Sequence, residues 1–295
     1  MQLSEKTALL TGASSGIGHQ LALELARRGA TLALAARRRV LLEQLAEQIT
    51  RAGAPRPVVL EADLSKRGSA VALASAASAA LGRIDVVINN AASNLHGCPS
   101  AVGDRDEARE LFELNVWSPM ALVHELVPQM RGRGGGKVVN VTSLATVAPF
   151  PAVGHYCASK AALSLATRSL RLELRGTGVG VLEVLLGPVD TDGSRANRAI
   201  AGAERWLDAA RPGRPDRAAA AIARAIARDR SRLIYPRRMS PSHELPILGR
   251  IYAASVVRGF EPDRVAIRRT GWRPDPPADS TSSTGSVDAT TGAGA

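Results

Sequence analysis

Tyr156-Cys157-Ala158-Ser159-Lys160 places a phenol and an ammonium four residues apart. On a helix that spacing puts both side chains on one face. A free phenol titrates near pH ~10, a poor match to neutral pH. A cation beside it favours the phenolate and lowers its pKa. A phenol poised in this way can give a proton to a carbonyl oxygen, or take one from an alcohol. Two more polar residues precede the pair. Ser143 ends an apolar, strand-like run, thirteen residues before Tyr156. Asn115 lies inside a helical segment, where its amide competes with the backbone for hydrogen bonds.

Groups like these need rigid elements to hold them. Short β-rich runs alternate with longer helical patterns along the chain. Strands are expected at Thr7–Leu10, Thr31–Ala35, Val58–Glu61, Val86–Asn89, Lys137–Val141, Gly180–Leu185 and Leu233–Tyr235. Helices are expected near 16–28, 40–52, 67–81, 105–131, 156–175 and 217–229. Continuous apolar runs such as Val86-Val87-Ile88 suit parallel strands covered on both faces. Gly29 and Gly53 stand where helices stop. Repeated β-α-β units imply right-handed crossovers and one doubly wound α/β sheet of about seven strands, with helices on both faces.

The first strand runs into Thr11-Gly12-Ala13-Ser14-Ser15-Gly16-Ile17-Gly18. Gly12 permits a tight exit from the strand, Gly16 lets backbone approach a diphosphate, and Gly18 lets the next helix pack closely on the sheet. The helix then aims its N-terminal N–H groups and dipole at phosphate. Gly12, Ser14, Ser15, Gly16, Ile17 and Gly18 are therefore candidate nucleotide-binding residues.

The Gly-x-x-x-Gly-x-Gly spacing, with the Tyr-x-x-x-Lys pair, resembles the short-chain dehydrogenase/reductase family over about residues 5–236. The resemblance implies a Rossmann-type sheet in strand order 3-2-1-4-5-6-7 and a nicotinamide cofactor. Where an acid would select NAD, this chain has Ala36 followed by Arg37 and Arg38. A guanidinium matches phosphate in a bidentate way. In the family that arrangement implies NADP(H). Asp63 would bond the adenine amino group beside Leu64, although an Asp there also suits a helix N-cap, a role Ser65 could fill instead. Asn89, Asn90 and Ala91 match the family's NNAG, with Ala92 in place of its Gly. Gly187, Val189 and Thr191 would meet the nicotinamide carboxamide, with Leu186 where the family has Pro. The resemblance gives Ser143 the substrate oxygen, Tyr156 the proton, and Lys160 the nicotinamide ribose. It gives Asn115 a bent helix and a water leading to Lys160. The implied activity is reduction of a ketone or aldehyde on an apolar small molecule, walled by the loop Leu144–Val153. A non-catalytic NADP(H)-binding sensor on the same fold is the alternative.

Composition bounds the rest. The chain has 295 residues and a formal net charge of +11. The basic excess lies in residues 195–273, which hold 18 arginines and no lysine. Aromatics are only 3%, too few for a surface that stacks single-stranded nucleic acid, and no nucleic-acid motif is present. Cys98 and Cys157 form no pair with metal-ligand spacing, and His96 and His155 read as hydrogen-bonded loop residues. No signal peptide or spanning segment is expected, which points to a reducing, cytoplasmic setting. The expected organisation is a catalytic domain over 1–239, with a flap at 191–216. A helical extension over 240–272 and a disordered tail over 273–295 follow. Apolar residues at helical spacing in 245–260 suit packing on the body or a second subunit, and admit weak peripheral membrane contact. A homodimer or homotetramer through the helices near 105–131 and 156–175 is implied by the resemblance.

Overall fold

A computed structural model describes residues 2–147, 150, 152–197, 211–245, 247, 251, 254 and 267–270. Seven parallel strands form the main sheet. They are β1 (Thr7–Thr11), β2 (Thr31–Ala36), β3 (Val58–Glu61), β4 (Val86–Asn89), β6 (Gly136–Ser143), β7 (Val179–Leu186) and β8 (Arg232–Tyr235). The short β5 (Asn94–His96) lies outside that sheet. The order β3-β2-β1-β4-β6-β7-β8 is the expected doubly wound arrangement once β5 is left aside. Crossover reversal between β3-β2-β1 and β4-β6-β7 opens a crevice at the carboxyl ends of β1 and β4, where ligands bind in such sheets.

Alternation along the strands builds two cores. Leu10, Leu32, Leu34 and Ile88 face one side, with α1 (Gly16–Arg27), α2 (Arg39–Arg51) and the late helix α9 (Pro215–Ala227). Leu9, Ala33, Val87 and Val138 face the other, with α3 (Ser69–Leu81), α6 (Ser118–Gly132) and α7 (Gly154–Glu173). Small Ala side chains let α1 and α9 pack tightly on the first side. A satellite core of Leu95, Val102, Ala108 and Leu111 lies under α4 (Pro99–Val102) and α5 (Asp106–Phe112).

Several boundaries differ from expectation for identifiable reasons. The helix expected over 105–131 is divided: α5 runs into a π-turn at Glu113–Trp117 and then into α6. Pro119 has no N–H, so it cannot bond the Asn115 carbonyl four residues back, and the ladder widens there. The Ser118 N–H reaches instead to Glu113 O. The helix expected from 67 begins at Ser69, capped by Gly68 rather than by Asp63 or Ser65.

The flap expected at 191–216 is tied at its base. Val189 bridges Gly213, Asp190 N donates to Gly213 O at 2.8 Å, and Gly213 N donates to Pro188 O at 2.9 Å. Within it, α8 covers Asp192–Asn197, while 198–210 lie outside the described residues. The extension expected to be helical does contain α10 (Ser240–Glu244), but it also contributes a strand. That strand, β9 (Arg268–Thr270), pairs antiparallel with β5. Most of 245–260 and all of 273–295 lie outside the described residues. Among the described residues, no helix is long and apolar enough to cross a membrane.

Candidate active site

The glycine turn is built by close approach. Gly12 has φ +69°, and a Cβ there would sit 2.7 Å from Ala91 Cα. A Cβ on Gly18 would sit 2.1 Å from Gly12 O. The turn is locked to the end of β4 by Thr11 and Asn90. The Thr11 hydroxyl donates to Ile88 O and accepts from the backbone N–H of Asn90 and Ala91 at 3.1 Å. Asn90 Nδ2 donates to Thr11 O at 2.9 Å and Gly12 O at 3.2 Å. Asn90 thus holds the turn in shape. Gly16 opens α1, and Ile17 packs on the first core. The Thr191 methyl lies 3.3 Å from where a Gly16 Cβ would be, so the segments that follow β1 and β7 meet here. A cradle with no space for side-chain carbons, at a helix N-terminus, fits a dinucleotide diphosphate.

Beside the turn lies a cavity of about 420 Å³, lined in part by Ser14, Ser15, His19, Arg38, Gln44 and Asp192. Arg38 Nη2 donates to both Ser14 Oγ and Ser15 Oγ at 2.9 Å. The sequence reading put Arg37 first at this end of β2. In the structure Arg38 is the guanidinium that reaches the turn, and Arg37 stands beside it, half-buried. At the end of β3, Asp63 Oδ1 accepts from Ser65 N at 3.1 Å and Ser65 Oγ at 2.8 Å, an Asx turn. Leu64 is buried, and its carbonyl accepts from Ser118 Oγ.

The four chemistry-bearing residues come together at the carboxyl edge of β6. Ser143 ends that strand. Its Oγ donates to Leu186 O at 3.3 Å and accepts from Ala145 N at 3.1 Å. The Tyr156 hydroxyl faces Ser143, close enough for that hydroxyl to favour the phenolate. Lys160, one turn further along α7, is buried and donates from Nζ to Val141 O at 3.0 Å. Asn115 is fully buried in the π-turn. Its side chain accepts from Ser93 N and donates to Ser93 O, each at 3.1 Å, and donates to Ser159 Oγ at 3.0 Å. Ser159 in turn donates to Tyr156 O at 2.8 Å. Asn115 therefore ties the loop after β4 to the first turn of α7.

One expectation from the sequence is reversed. An adjacent ammonium was expected to lower the Tyr156 pKa. Burial instead pushes the phenol up to about 12, with the Ser143 hydroxyl opposing it. The same burial brings Lys160 down to about 8. Lys160 is turned to the β6 backbone, so its charge does not offset the loss of water around the phenol. At neutral pH the phenol thus keeps its proton.

Of the carboxamide-side residues, Val189 is buried at the flap base. Gly187 leaves no space for a Cβ, which would lie 2.5 Å from Met239 sulfur. Thr191 caps α8 by exchanging hydrogen bonds with Ser194. Sequence reasoning missed Thr11, Ser93, Ser159 and Asn140. The last accepts from Asn89 Nδ2 at 2.8 Å and donates to Thr167 Oγ1. Their signal was present: each is a polar residue in an otherwise buried position, which demands a partner. Among the described residues no cluster of His, Cys, Asp or Glu could hold a metal ion.

Comparison with known proteins agrees with this arrangement. The family model for short chain dehydrogenases matches residues 6–200. An 11-beta-hydroxysteroid dehydrogenase A from Sesamum indicum is 35% identical over 203 residues, 69% of this chain and 58% of that protein. Another such enzyme, from Arabidopsis thaliana, is matched over 49% of its length, so the chain spans about half to three-fifths of these relatives. A short chain dehydrogenase/reductase from Burkholderia phymatum, solved in complex with NAD, superposes with a TM-score of 0.73 at 27% identity, covering 85% of this chain and 97% of that one. A 3-oxoacyl (acyl-carrier-protein) reductase from Agrobacterium tumefaciens, solved with NADP bound, gives a TM-score of 0.67 at 28% identity, over 74% and 86% of the two chains. Sheet order and sequence agree: this chain belongs to the short-chain dehydrogenase/reductase family.

Proposed function

We propose that the protein is an NADP(H)-dependent oxidoreductase that interconverts a carbonyl and an alcohol, reducing a ketone or aldehyde on an apolar small molecule. The observation that carries this reading is the Tyr156–Ser143 hydroxyl pair, set against buried Lys160 at the sheet's carboxyl edge. When bound, the nicotinamide supplies or takes up the hydride. Ser143 holds the substrate oxygen, its Oγ kept in place by Ala145 N and Leu186 O. Tyr156 gives its proton to that oxygen in reduction. Lys160 bonds the ribose and brings positive charge close to the phenol as proton transfer proceeds. Asn115 positions Tyr156 through Ser159, and its Pro119-freed carbonyl is a ready acceptor for a water leading to Lys160. Leu144, Val147 and Val153 supply apolar wall. An intact quartet favours turnover over a purely sensing role. The test is oxidation of NADPH and NADH against a carbonyl panel. No turnover of any carbonyl would sink the reading.

Arg38 supports the choice of NADP(H). It would hold the adenosine 2′-phosphate, aided by Ser14 and Ser15, and Ala36 leaves no carboxylate to repel it. A charged hydrogen bond contributes about 1.5–3 kcal/mol. Arg38→Ala should therefore raise the KM for NADPH ~10–100-fold and leave that for NADH within ~2-fold. Equal effects on both cofactors would remove Arg38 from this role.

Self-association is also proposed. Trp117 at the start of α6, with Leu165 and Leu172 on α7, are large apolar side chains 59–71% exposed. Large exposed apolar side chains are candidates for contact surfaces. The double variant Leu165→Glu/Leu172→Glu should lower the mass measured by light scattering to that of one chain. An unchanged mass would exclude this face.

A further inference from the structure

The family match ends at residue 200, yet the chain's last described segment returns to the site. Strand β9 pairs with β5 in the register Asn94↔Thr270, Leu95↔Arg269, His96↔Arg268. Ile267, just before β9, packs on Leu95, Val102, Ala108 and Leu111. Gly97 makes space for it: a Cβ there would meet Val102 Cγ2 at 2.5 Å and Ile267 Cγ1 at 3.3 Å.

The strand that β9 joins is tied to the catalytic residues at both ends. Ser93, which precedes β5, is held by the Asn115 amide. Gly97, which follows it, donates its N–H to Ala152 O at 2.8 Å, in the loop that leads into the Tyr156 helix. On its far side β9 lies beside α8, the helix that starts just after Thr191. Now consider the sheet order. β5 follows β4, and α8 follows β7, while β6 with Ser143 at its tip lies between β4 and β7. A segment that touches both β5 and α8 therefore links the two stretches of chain that flank the carboxyl end of β6.

We propose that Ile267–Thr270 forms the outer wall of the substrate cleft, and that it confines the enzyme to compact carbonyl compounds by narrowing the opening above Ser143 and Tyr156. The proposal rests on the reductase reading given above. The latch is Ile267 in its apolar pocket. A carboxylate placed there would have to give up its hydration in an apolar pocket, so the strand lifts instead.

The test uses the full chain and two variants, Ile267→Asp and the conservative Ile267→Val. Two probes differ in bulk at constant chemistry: acetophenone and 4-phenylacetophenone. In Ile267→Asp the kcat/KM ratio should move at least ~10-fold toward the bulky ketone, with the NADPH Kd within ~2-fold of the parent. Ile267→Val should keep the parent's ratio. General destabilisation lowers both rates together and leaves the ratio alone, so an unmoved ratio in a protein that still binds NADPH overturns the wall. Should neither ketone be turned over by any of the proteins, the reductase reading is decided separately, by the carbonyl panel above. The wall is then judged by calorimetric binding of 4-phenylacetophenone in the presence of NADP⁺. Tighter binding to Ile267→Asp supports it, and equal binding overturns it. Failure of Ile267→Asp to fold would move the same comparison to Ile267→Ala, which empties the latch without adding charge.

Discussion

Tyr156→Phe should lower kcat for carbonyl reduction by about 10³-fold while leaving the NADPH Kd within ~2-fold. The phenyl ring keeps the packing of the first turn of α7, and only the hydroxyl is lost. The Ala145 N–H still holds the Ser143 oxygen, and the single Ser143 proton can turn from Leu186 O to the substrate oxygen, so that oxygen still has a donor. What disappears is the proton. Because burial pushes the Tyr156 pKa up to about 12, the group is protonated throughout the neutral range, and the reducing direction finds its acid ready. Oxidation of an alcohol must first draw that proton away, and is expected to accelerate with rising pH where reduction does not. Stopped-flow reduction at pH 7, with fluorescence titration of NADPH, measures both quantities. A variant that keeps more than a tenth of the parent's kcat would remove Tyr156 from the proposed role.

Gly18→Ala should have the second large effect, through geometry alone. The added carbon would lie 2.1 Å from Gly12 O and 2.6 Å from Asn90 Nδ2. The first is backbone and the second is anchored to Thr11 and Gly12, so neither can step aside cheaply. Either α1 is pushed off the sheet or the turn opens. Overpacking of this kind costs about 1–3 kcal/mol, and the distorted cradle should weaken NADPH binding at least ~100-fold, near 2.7 kcal/mol. Gly53→Ala is the control. Gly53 has φ +84° with no heavy atom within 4 Å, so Ala there meets only backbone strain of about 1–2 kcal/mol. It should shift the thermal midpoint and leave cofactor affinity unchanged. Comparable NADPH binding in the two variants would mean that close packing at Gly18 does not shape the cradle.

Local patterns made most of the fold readable. The seven strands of the main sheet follow from apolar runs such as Val86-Val87-Ile88 and from the βαβ repeat, and their order from the family resemblance. The glycine turn and the Tyr156/Lys160 pair follow from spacing. The exceptions share a cause: they depend on contacts between residues far apart in sequence. β9 is three residues of ordinary composition, and only its partner Asn94–His96 makes it a strand. The irregular turn at Glu113–Trp117 was expected at Asn115 from the family resemblance, and its physical cause was legible in Pro119 four residues on. The raised Tyr156 pKa was not legible, because charge spacing shows in a sequence and loss of water does not. The hold of Arg38 on the turn hydroxyls likewise depends on a contact across more than twenty residues.

The tie at Val189 and Gly213 has one more implication. Because the chain entering and leaving the segment 191–212 is fastened at Val189 and Gly213, the stretch between α8 and Gly213 can change in length and composition without touching that tie. Laboratory grafts from related enzymes spliced after Asn197 and before Gly213 keep Thr191 against Gly16 and α8 beside β9, so this chain is suited to reprogramming its substrate choice by loop exchange.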